Sequence, residues 1–320
     1  MTRGEQIGST SSAHDGGSVV LGLDVGGSSV KHLLAPARSS TDAPPAPRAR
    51  GRHATPKDSP VDGLAAIVSS LRGDTELERV VLSIPGLVDE AEGVVVRSTN
   101  IPSLDGRPLG AQLADELGIP VDVINDGHAA AVAEASWGAG SGIDDVFVLA
   151  LGTGIAGAHV VDGRVVPGAH GSAGELGHIT IEPSGRVCSC GRRGCLETII
   201  GAPALRRAWA EAGGTGGPEV LLAASADGDA TAAAIVERAS AALAEAILTL
   251  CALVDPGCIV IGGGLAQAPH RLVRLAERYV GERASFHRVP PIVPATLGEW
   301  AGANGAVLTA LRRQRALARS

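Results

Sequence analysis

The sequence contains very few aromatic residues and no long apolar segment. Only six of its 320 residues are aromatic, so we expect an interior packed with Ala, Val and Leu side chains. No apolar run reaches the roughly 18 residues that a transmembrane helix needs, so no membrane partner is expected. The first eighteen residues are polar, rich in Ser and Gly, and lack the apolar stretch of a secretory signal. We therefore expect a disordered tail over residues 1–17 and a cytoplasmic protein.

The chain also lacks an excess of basic residues. Its 27 Lys and Arg residues face 34 Asp and Glu residues, which leaves a formal net charge of −7. Nucleic-acid-binding surfaces are usually basic, so we expect no nucleic-acid partner. Hydrophobic residues make up 45% of the chain and charged residues 19%, which permits a sizeable core. A length of 320 residues exceeds one average domain and predicts two.

The Walker A loop and the G-x-G-x-x-G fingerprint are both missing, yet glycine is abundant, with 44 residues. An apolar strand predicted at residues 18–24 ends at Asp24, and a turn at Gly26 and Gly27 leads into a second strand at residues 30–35. A Gly-Gly-Ser-Ser turn exposes backbone N–H groups and hydroxyls, which suit phosphate oxygens. Asp24 is placed to hold a hydrated Mg2+ ion. An ordinary hairpin turn is the alternative.

Glycine-rich turns follow two later predicted strands. A strand at residues 145–151 leads into G-T-G at 152–154, and a strand at 259–261 leads into G-G-G at 262–264. The first of these turns again suits phosphate oxygens, with a plain hairpin as the alternative. Two such turns after apolar strands, near Asp24 and near residue 152, strengthen the phosphate interpretation. They also hint at the duplication of one fold.

The spacing of apolar residues predicts most of the helices. They are expected at residues 61–72, 128–137, 196–212, 230–253 and 301–318. Residues 86–93, between two predicted strands, are expected to form a turn.

Asp126 lies between a strand predicted at residues 121–124 and the helix predicted at 128–137. A carboxylate at the carboxyl end of a strand lies at the crevice where open α/β sheets bind ligands. There it could accept a hydroxyl proton as a general base. Alternatively, it serves as the N-cap of the following helix. Its position alone leaves both interpretations open.

One histidine and three of the five cysteines fall within eighteen residues, in the pattern H-x9-C-x-C-x4-C. They are His178, Cys188, Cys190 and Cys195. Three thiolates and an imidazole match zinc, and a four-ligand site is closed and structural. A disulfide with a spare thiol is the alternative, which a reducing compartment disfavours. Because a closed site leaves no position for chemistry, Glu175 and Glu197 remain as the polar groups free to meet a ligand.

Five short motifs occur in the order in which one known family carries them. They are D-V-G-G-S-S-V-K at 24–31, N-D-G at 125–127, L-G-T-G-I-A-G at 151–157, G-E-L-G-H at 174–178 and C-x-C-G-x-x-G-C-L-E at 188–197. Over about residues 18–317 the chain resembles the ROK family of bacterial sugar kinases and repressors, within the actin-like ATPase superfamily. The metal-loop motif is highly specific, and the ordered set is more so.

The resemblance implies an α/β fold of two actin-like (ribonuclease H-like) ATPase domains around a central cleft. A small N-terminal domain would cover residues 18–124, and a large C-terminal domain would cover residues 125–300, with a zinc loop at 178–195. The final helix, at about residues 301–320, would return to the small domain. A homodimer or homotetramer is expected.

The resemblance also implies ATP-dependent phosphorylation of a hexose at its C6 hydroxyl, first of all of glucose to glucose 6-phosphate. One alternative acceptor is N-acetylglucosamine, N-acetylmannosamine or another hexose. Polyphosphate is an alternative donor. A protein of a different class, a sugar-sensing regulator without turnover, is a further alternative. The repressors carry an N-terminal helix-turn-helix, for which the short tail leaves no room, so we expect no DNA binding.

The resemblance assigns roles residue by residue. Asp126 matches the catalytic base. The sugar-contacting positions are Asn100, Asn125, Asp126, Glu175, His178 and Glu197. The positions for ATP and Mg2+ are Asp24, Gly27, Ser28, Lys31, Gly152, Thr153, Gly154, Gly262, Gly263 and Gly264. The ligands of the structural Zn2+ are His178, Cys188, Cys190 and Cys195.

The chain departs from the family pattern at a few positions. Ser28 stands where Thr is commoner, and it keeps the hydroxyl. The usual E-N-D-A-N becomes I-N-D-G-H, so Ile124 and His128 could alter the packing of the pocket. Ala156 and Ala158 replace glycines and are still small. None of these changes removes a reacting group.

Overall fold

The computed structural model describes residues 17–98, 100–267, 271–286 and 288–319. The tail predicted at residues 1–17 therefore lies outside the described residues, apart from Gly17. Within the described ranges the strands are β1 Val19–Val25, β2 Ser29–Pro36, β3 Ala49–Ala54, β4 Leu77–Ile84, β5 Gly86–Asp89, β6 Val94–Ser98, β7 Val121–Asn125, β8 Asp145–Leu151, β9 Ile155–Val161, β10 Arg164–Val165, β11 Cys258–Gly262 and β12 Ile292–Pro294.

The helices of the same ranges are α1 Pro60–Arg72, α2 Leu109–Leu117, α3 Asp126–Trp137, α4 Glu197–Ile200, α5 Ala202–Glu211, α6 Pro218–Ala226, α7 Ala230–Leu253, α8 Gly264–Gln267, α9 Arg271–Arg283 and α10 Ala301–Leu317. Among the residues described, no helix is long and apolar enough to cross a membrane. The core is built mainly of Val, Leu, Ile and Ala side chains, as the composition predicts.

The strands form two five-stranded sheets and a separate two-stranded ribbon of β5 and β6. The strand order is β3-β2-β1-β4-β7 in the first sheet and β10-β9-β8-β11-β12 in the second. Each sheet begins with three antiparallel strands, β1–β3 or β8–β10, and continues with parallel strands. The two sheets share one pattern, so the carboxyl ends of β1, β4 and β7 meet at one edge, and those of β8 and β11 meet at another.

The last helix, α10, packs on the first sheet, far from its neighbours in sequence. A Cβ atom added at Gly22 of β1 would lie 2.7 Å from the Ala303 carbonyl oxygen of α10. On the other side of α10, a Cβ at Gly305 would clash with the carbonyl of Ala129 in α3. Glycine at positions 22 and 305 therefore lets α10 lie between β1 and α3 at backbone contact distance.

Two predictions of local structure are wrong. The helix predicted at residues 196–212 is broken at Gly201 into α4 and α5, because the chain turns there to meet the G-T-G turn. The Ala202 N–H donates to the Gly152 carbonyl at 2.9 Å, and a Cβ at Gly201 would lie 3.1 Å from the Thr153 carbonyl oxygen. The turn predicted at residues 86–93 begins instead with a strand, β5, which pairs with β6.

Candidate active site and metal cluster

The four predicted zinc ligands lie together. One ligand atom from each of His178, Cys188, Cys190 and Cys195 can be chosen so that all lie within 4.8 Å of one another. The Cys188 Sγ lies 3.5 Å from His178 Nδ1, and the Cys190 Sγ lies 3.6 Å from the Cys195 Sγ. A tetrahedral zinc ion with bonds of about 2.3 Å holds its sulfur ligands about 3.8 Å apart, close to these separations. The cysteines form no disulfide.

The electrostatics of the thiols also suit a cation. Burial, followed by the neighbouring thiols of Cys190 and Cys188, raises the pKa of Cys195 to about 12. Three thiolates in this volume would repel one another unless a divalent cation offset their charge. The donor set therefore fits zinc better than it fits three free thiols.

The metal loop is held by backbone contacts rather than by regular structure. Isolated bridges join Thr180 to Cys195 and Val187 to Arg193. Gly194 has a φ of +65° and accepts backbone hydrogen bonds from both Ile181 and Glu182. No Cβ fits at Gly194, because it would overlap the Glu182 carbonyl. Glycine is therefore required at position 194 for the metal loop to close on itself.

His178 uses its two ring nitrogens in different directions. Nδ1 faces the Cys188 sulfur, whereas Nε2 lies 3.9 Å from a carboxylate oxygen of Glu175. One imidazole can therefore ligate a metal through Nδ1 and present Nε2 on the side of Glu175. The sequence assigned His178 to both the metal site and the sugar site, and this geometry is compatible with both.

The first residues of strand β9 form a platform on which three other segments meet. The Ile155 N–H donates to Glu197 Oε2 at 3.1 Å. A Cβ at Gly127, beside Asp126, would lie 4.0 Å from the Cβ of Ala156. A Cβ at Gly157 would lie 2.7 Å from the Gly174 carbonyl oxygen, in the G-E-L-G-H segment. The start of α3, the segment that carries Glu175, and Glu197 all pack on residues 155–157.

Asp126 is the first residue of α3, and it is not the N-cap. That role belongs to Asn125, whose Oδ1 accepts from the His128 N–H at 2.9 Å and whose Nδ2 donates to the Gly86 carbonyl at 2.7 Å. The capping alternative for Asp126 is therefore excluded. Asp126 Oδ1 accepts the N–H of the next residue, Gly127, at 2.9 Å.

The environment of Asp126 shifts its protonation. Burial raises the pKa of Asp126 above the ordinary aspartate range, and the negative charge of Asp24 adds to the effect. The Gly127 N–H and the charge of His128 act in the opposite direction. A carboxylate at the end of a strand with a raised pKa is a candidate general base.

Asp24 and the first glycine turn lie at the carboxyl end of β1, which β4 separates from β7 and Asp126. The Lys31 ammonium pairs with Asp24 Oδ2 at 3.0 Å, and the Ser83 hydroxyl donates to Asp24 Oδ1 at 3.3 Å. A Cβ at Gly27 would lie 3.1 Å from Asn100 Cγ, so the predicted sugar residue Asn100 packs against the turn. The turn is closed by the Gly26 N–H, which donates to the Ser29 carbonyl at 2.9 Å.

The two glycine turns of the second sheet are neighbours. A Cβ at Gly263, whose φ is +89°, would clash with the Leu151 carbonyl at the end of β8. Residues 262–264 therefore lie against residues 152–154. A cavity of about 530 Å³ opens at Thr153, and Glu197 and Cys188 are among the other residues that line it. Asn100, Asn125, Asp126 and Glu175 do not line that cavity.

Glu90 was missed by the sequence reasoning. It lies beyond the end of β5, and its Oε1 is 2.8 Å from His128 Nδ1 and 3.0 Å from the backbone N of Asn125. No motif marks Glu90, because its partners are more than thirty residues away in the chain.

The chain is similar in sequence to known proteins along most of its length. The ROK family model matches residues 20–313. The chain is 34% identical to the glucokinase of Thermotoga maritima, over 78% of this chain and 84% of that protein. It is 32% identical to the N-acetylmannosamine kinase of Citrobacter koseri, over 85% and 90% of the two chains. With the bifunctional NanE/NanK enzyme of Brucella melitensis the identity is 35%, over 90% of this chain and 53% of that longer protein.

Solved structures share the fold. The ROK hexokinase of Thermus thermophilus superposes with a TM-score of 0.80 at 32% identity, over 93% of this chain and 99% of that one. The ROK family glucokinase of Streptomyces griseus, in complex with glucose and AMPPNP, has a TM-score of 0.75 at 26% identity, over 92% and 100%. A ROK family transcriptional regulator, a homologue of the E. coli MLC protein, has a TM-score of 0.82 at 27% identity, over 95% and 81%.

The chain belongs to the ROK family and has its fold of two actin-like (ribonuclease H-like) domains. Within that family it is a sugar kinase, with relatives that are kinases of hexoses and of amino sugars.

Proposed function

We propose that this protein transfers the γ-phosphoryl group of ATP to the C6 hydroxyl of a hexose, with glucose as the first candidate. The convergence of Asp126, the G-E-L-G-H segment and Glu197 on residues 155–157 of β9 carries the proposal. Gly127, which follows the proposed base, the segment that carries Glu175 and His178, and Glu197 all contact one strand that directly follows a glycine turn. The glucokinase and hexokinase relatives support glucose as the acceptor.

In this reaction Asp126 accepts the proton of the C6 hydroxyl as the hydroxyl oxygen forms its bond to the γ-phosphorus. A base is most effective when its pKa lies near the working pH, so the raised pKa of Asp126 suits the role. Asn100, Asn125, Glu175, His178 and Glu197 hold the other sugar hydroxyls. Orienting the sugar in this way converts a bimolecular encounter into a step within one complex.

The glycine turns and Asp24 hold the donor. The backbone N–H groups of residues 27, 28, 153 and 154 suit the phosphate oxygens, whereas those of Gly26 and Gly152 close their own turns. Lys31, already paired with Asp24, adds a positive charge at the same edge of the first sheet. Bound Mg2+ supplies charge neutralisation for the phosphoryl group, and Asp24 is the carboxylate placed to hold it. Residues 262–264 are the turn that the family resemblance assigns to the adenosine.

A zinc ion held by His178, Cys188, Cys190 and Cys195 would brace the loop that carries the sugar contacts. His178 would ligate through Nδ1 and keep Nε2 beside Glu175, and Glu197 lies two positions after Cys195. The four-ligand site leaves the metal no open position, so its role is structural. Loss of the metal would free both glutamates to move away from β9.

We further propose that the two five-stranded sheets are the cores of two domains, residues 18–124 and 125–300, with the final helix returning to the first. Packing of α10 on β1 supports that division. A homodimer or homotetramer and a cytoplasmic location, where ATP is consumed, complete the proposal. Sedimentation equilibrium measures the assembly.

N-acetylmannosamine is the second candidate acceptor, because relatives at 32% to 35% identity are N-acetylmannosamine kinases or NanE/NanK enzymes. The regulator of the same fold raises a different class, a sugar sensor without turnover. The partly buried carboxylate of Asp126, with its raised pKa, supports catalysis over sensing, because a sensor needs no base.

A coupled assay of ADP release tests the proposal. Purified, zinc-loaded protein is given glucose, mannose, N-acetylglucosamine or N-acetylmannosamine with ATP, and polyphosphate replaces ATP in a parallel series scored by sugar phosphate. We expect turnover with ATP and the highest kcat/KM with glucose. The highest value with an N-acetyl sugar would replace glucose as the acceptor. Sugar binding without turnover on any sugar or donor would favour the sensor and reject the kinase.

A further inference from the structure

Glu90 contacts the catalytic turn at two points. Its Oε1 accepts a hydrogen bond from the backbone N–H of Asn125 at 3.0 Å and lies 2.8 Å from Nδ1 of His128. These two residues flank Asp126 on either side. One carboxylate oxygen from the β5–β6 ribbon thus spans the turn that carries the proposed base, although it does not touch the base itself.

The ribbon is built to hold Glu90 in place. Asp89 Oδ1 accepts the N–H groups of Ala91 at 3.1 Å and Glu92 at 3.2 Å, which fixes the turn around Glu90. The Asn125 side chain donates to the Gly86 carbonyl at the other end of β5. The catalytic turn is therefore tied to the ribbon by backbone and side chain at both ends of the strand.

We propose that Glu90 is a positioning residue: through Asn125 and His128 it holds the Asp126 carboxylate toward the acceptor hydroxyl. The inference rests on the proposed kinase function and deepens it. Glu90 contacts His128, which stands where the E-N-D-A-N form has its second Asn. His128 departs from the family pattern and has Glu90 as its partner. The charge of His128 also acts on Asp126.

Three variants test this role. In Glu90→Ala both contacts are lost; in Glu90→Gln an acceptor oxygen is kept and the charge is removed. Glu92→Ala, an exposed glutamate two residues along the same turn, is the matched control. For Glu90→Ala we expect kcat to fall by about 10- to 100-fold, the range a misplaced reacting group produces, with little change in the sugar KM. Glu90→Gln should recover most of the loss, and Glu92→Ala should equal the parent protein.

A second readout does not depend on turnover. Amide hydrogen exchange of Asn125 should be markedly faster in Glu90→Ala than in the parent protein or in Glu92→Ala, because its acceptor is gone. Unchanged exchange at Asn125 would overturn the contact itself. An unchanged kcat in Glu90→Ala would overturn the positioning role. A fall in kcat together with a raised sugar KM and a lower melting temperature would also overturn it. A parent protein without hexose turnover would instead contradict the proposed function, and the exchange result would still decide the contact.

Discussion

The carboxylate of Glu197 accepts a hydrogen bond from the backbone N–H of Ile155 at 3.1 Å. Glu197 follows the last cysteine of the metal loop by two residues, and Ile155 follows the G-T-G turn directly. The bond therefore connects the metal loop to the proposed phosphate turn. We therefore expect a change at the metal loop to alter the proposed sugar and phosphate sites.

Removing a metal ligand should weaken sugar binding. Cys190→Ser is expected to lose zinc, measured by atomic absorption, and to raise the sugar KM, because Glu175 and Glu197 lose their support. Mutation of residues that orient a metal site typically costs about 10- to 100-fold in affinity or activity. Ser189→Ala, an exposed neighbour in the same loop, should retain metal and KM. A Cys190→Ser protein that is free of zinc and has an unchanged KM would contradict the bracing role.

The platform on β9 requires a glycine at position 157. In Gly157→Ala the new Cβ would lie 2.7 Å from the Gly174 carbonyl oxygen and from Phe147 Cε1, so the G-E-L-G-H segment must shift. We expect a raised sugar KM, and a fall in stability of about 1–3 kcal/mol from overpacking, measured by urea unfolding.

Gly281→Ala provides the comparison for that variant. Gly281 lies in α9 with open space around its Cβ position, so alanine should leave KM alone and stabilise the helix by roughly 0.5–1 kcal/mol. An identical sugar KM in Gly157→Ala and the parent protein would show that the close approach at β9 does not shape the sugar site.

The rate should depend on pH through Asp126. The base must be ionised to accept a proton, so activity falls as the pH drops through its pKa. Because burial and Asp24 raise that pKa, the acidic limb of the kcat/KM profile should lie above the ordinary aspartate value of about 3.9. An acidic limb at or below the ordinary value would contradict the buried environment.

Stability should decrease in mild acid because of His32. Burial, and next the charge of His53, lowers the pKa of His32 to about 4. The unfolded chain takes up this proton near pH 6.5, whereas the folded protein resists it until about pH 4. Above pH 6.5 this histidine therefore leaves the free energy of unfolding undiminished. As the pH falls toward 4 the free energy of unfolding decreases, by about 1–2 kcal/mol at pH 5.

Urea unfolding of the parent protein and of His32→Gln at pH 7.5 and pH 5 measures this effect. The difference between the two pH values should shrink in His32→Gln and persist in His170→Gln, an exposed histidine. An equal pH dependence in all three proteins would exclude His32 as the source.

Local patterns were enough to predict that His178 and the three cysteines lie together and that glycine turns follow the strands. The cysteine spacing confines His178 and the three thiols to one loop, and apolar runs followed by glycines mark the ends of β1, β8 and β11. Contacts distant in sequence were not predictable. The break at Gly201 exists because Ala202 bonds to Gly152, and Glu90 acts on residues more than thirty positions away. Periodicity within one helix or strand carries no sign of such partners.

Asp126 shows where sequence reasoning stopped. Its position at the end of a strand is compatible with a catalytic base and with a helix N-cap. The side chain that accepts the His128 N–H decides between these two interpretations. In the structure Asn125 does so, at 2.9 Å. The Asp126 carboxylate is therefore not needed to cap the helix, which is compatible with its proposed role as a base.

The central claim is that Asp126 removes the proton from the sugar hydroxyl, and Asp126→Asn tests it most directly. Single-turnover and steady-state kinetics are measured with the sugar and donor that the parent protein uses best, and sugar binding is measured by calorimetry. Asp115→Asn, an exposed acid on α2, is the control. We predict a loss in kcat of about 10²- to 10⁴-fold with sugar affinity retained. A kcat near that of the parent protein in Asp126→Asn would contradict the account.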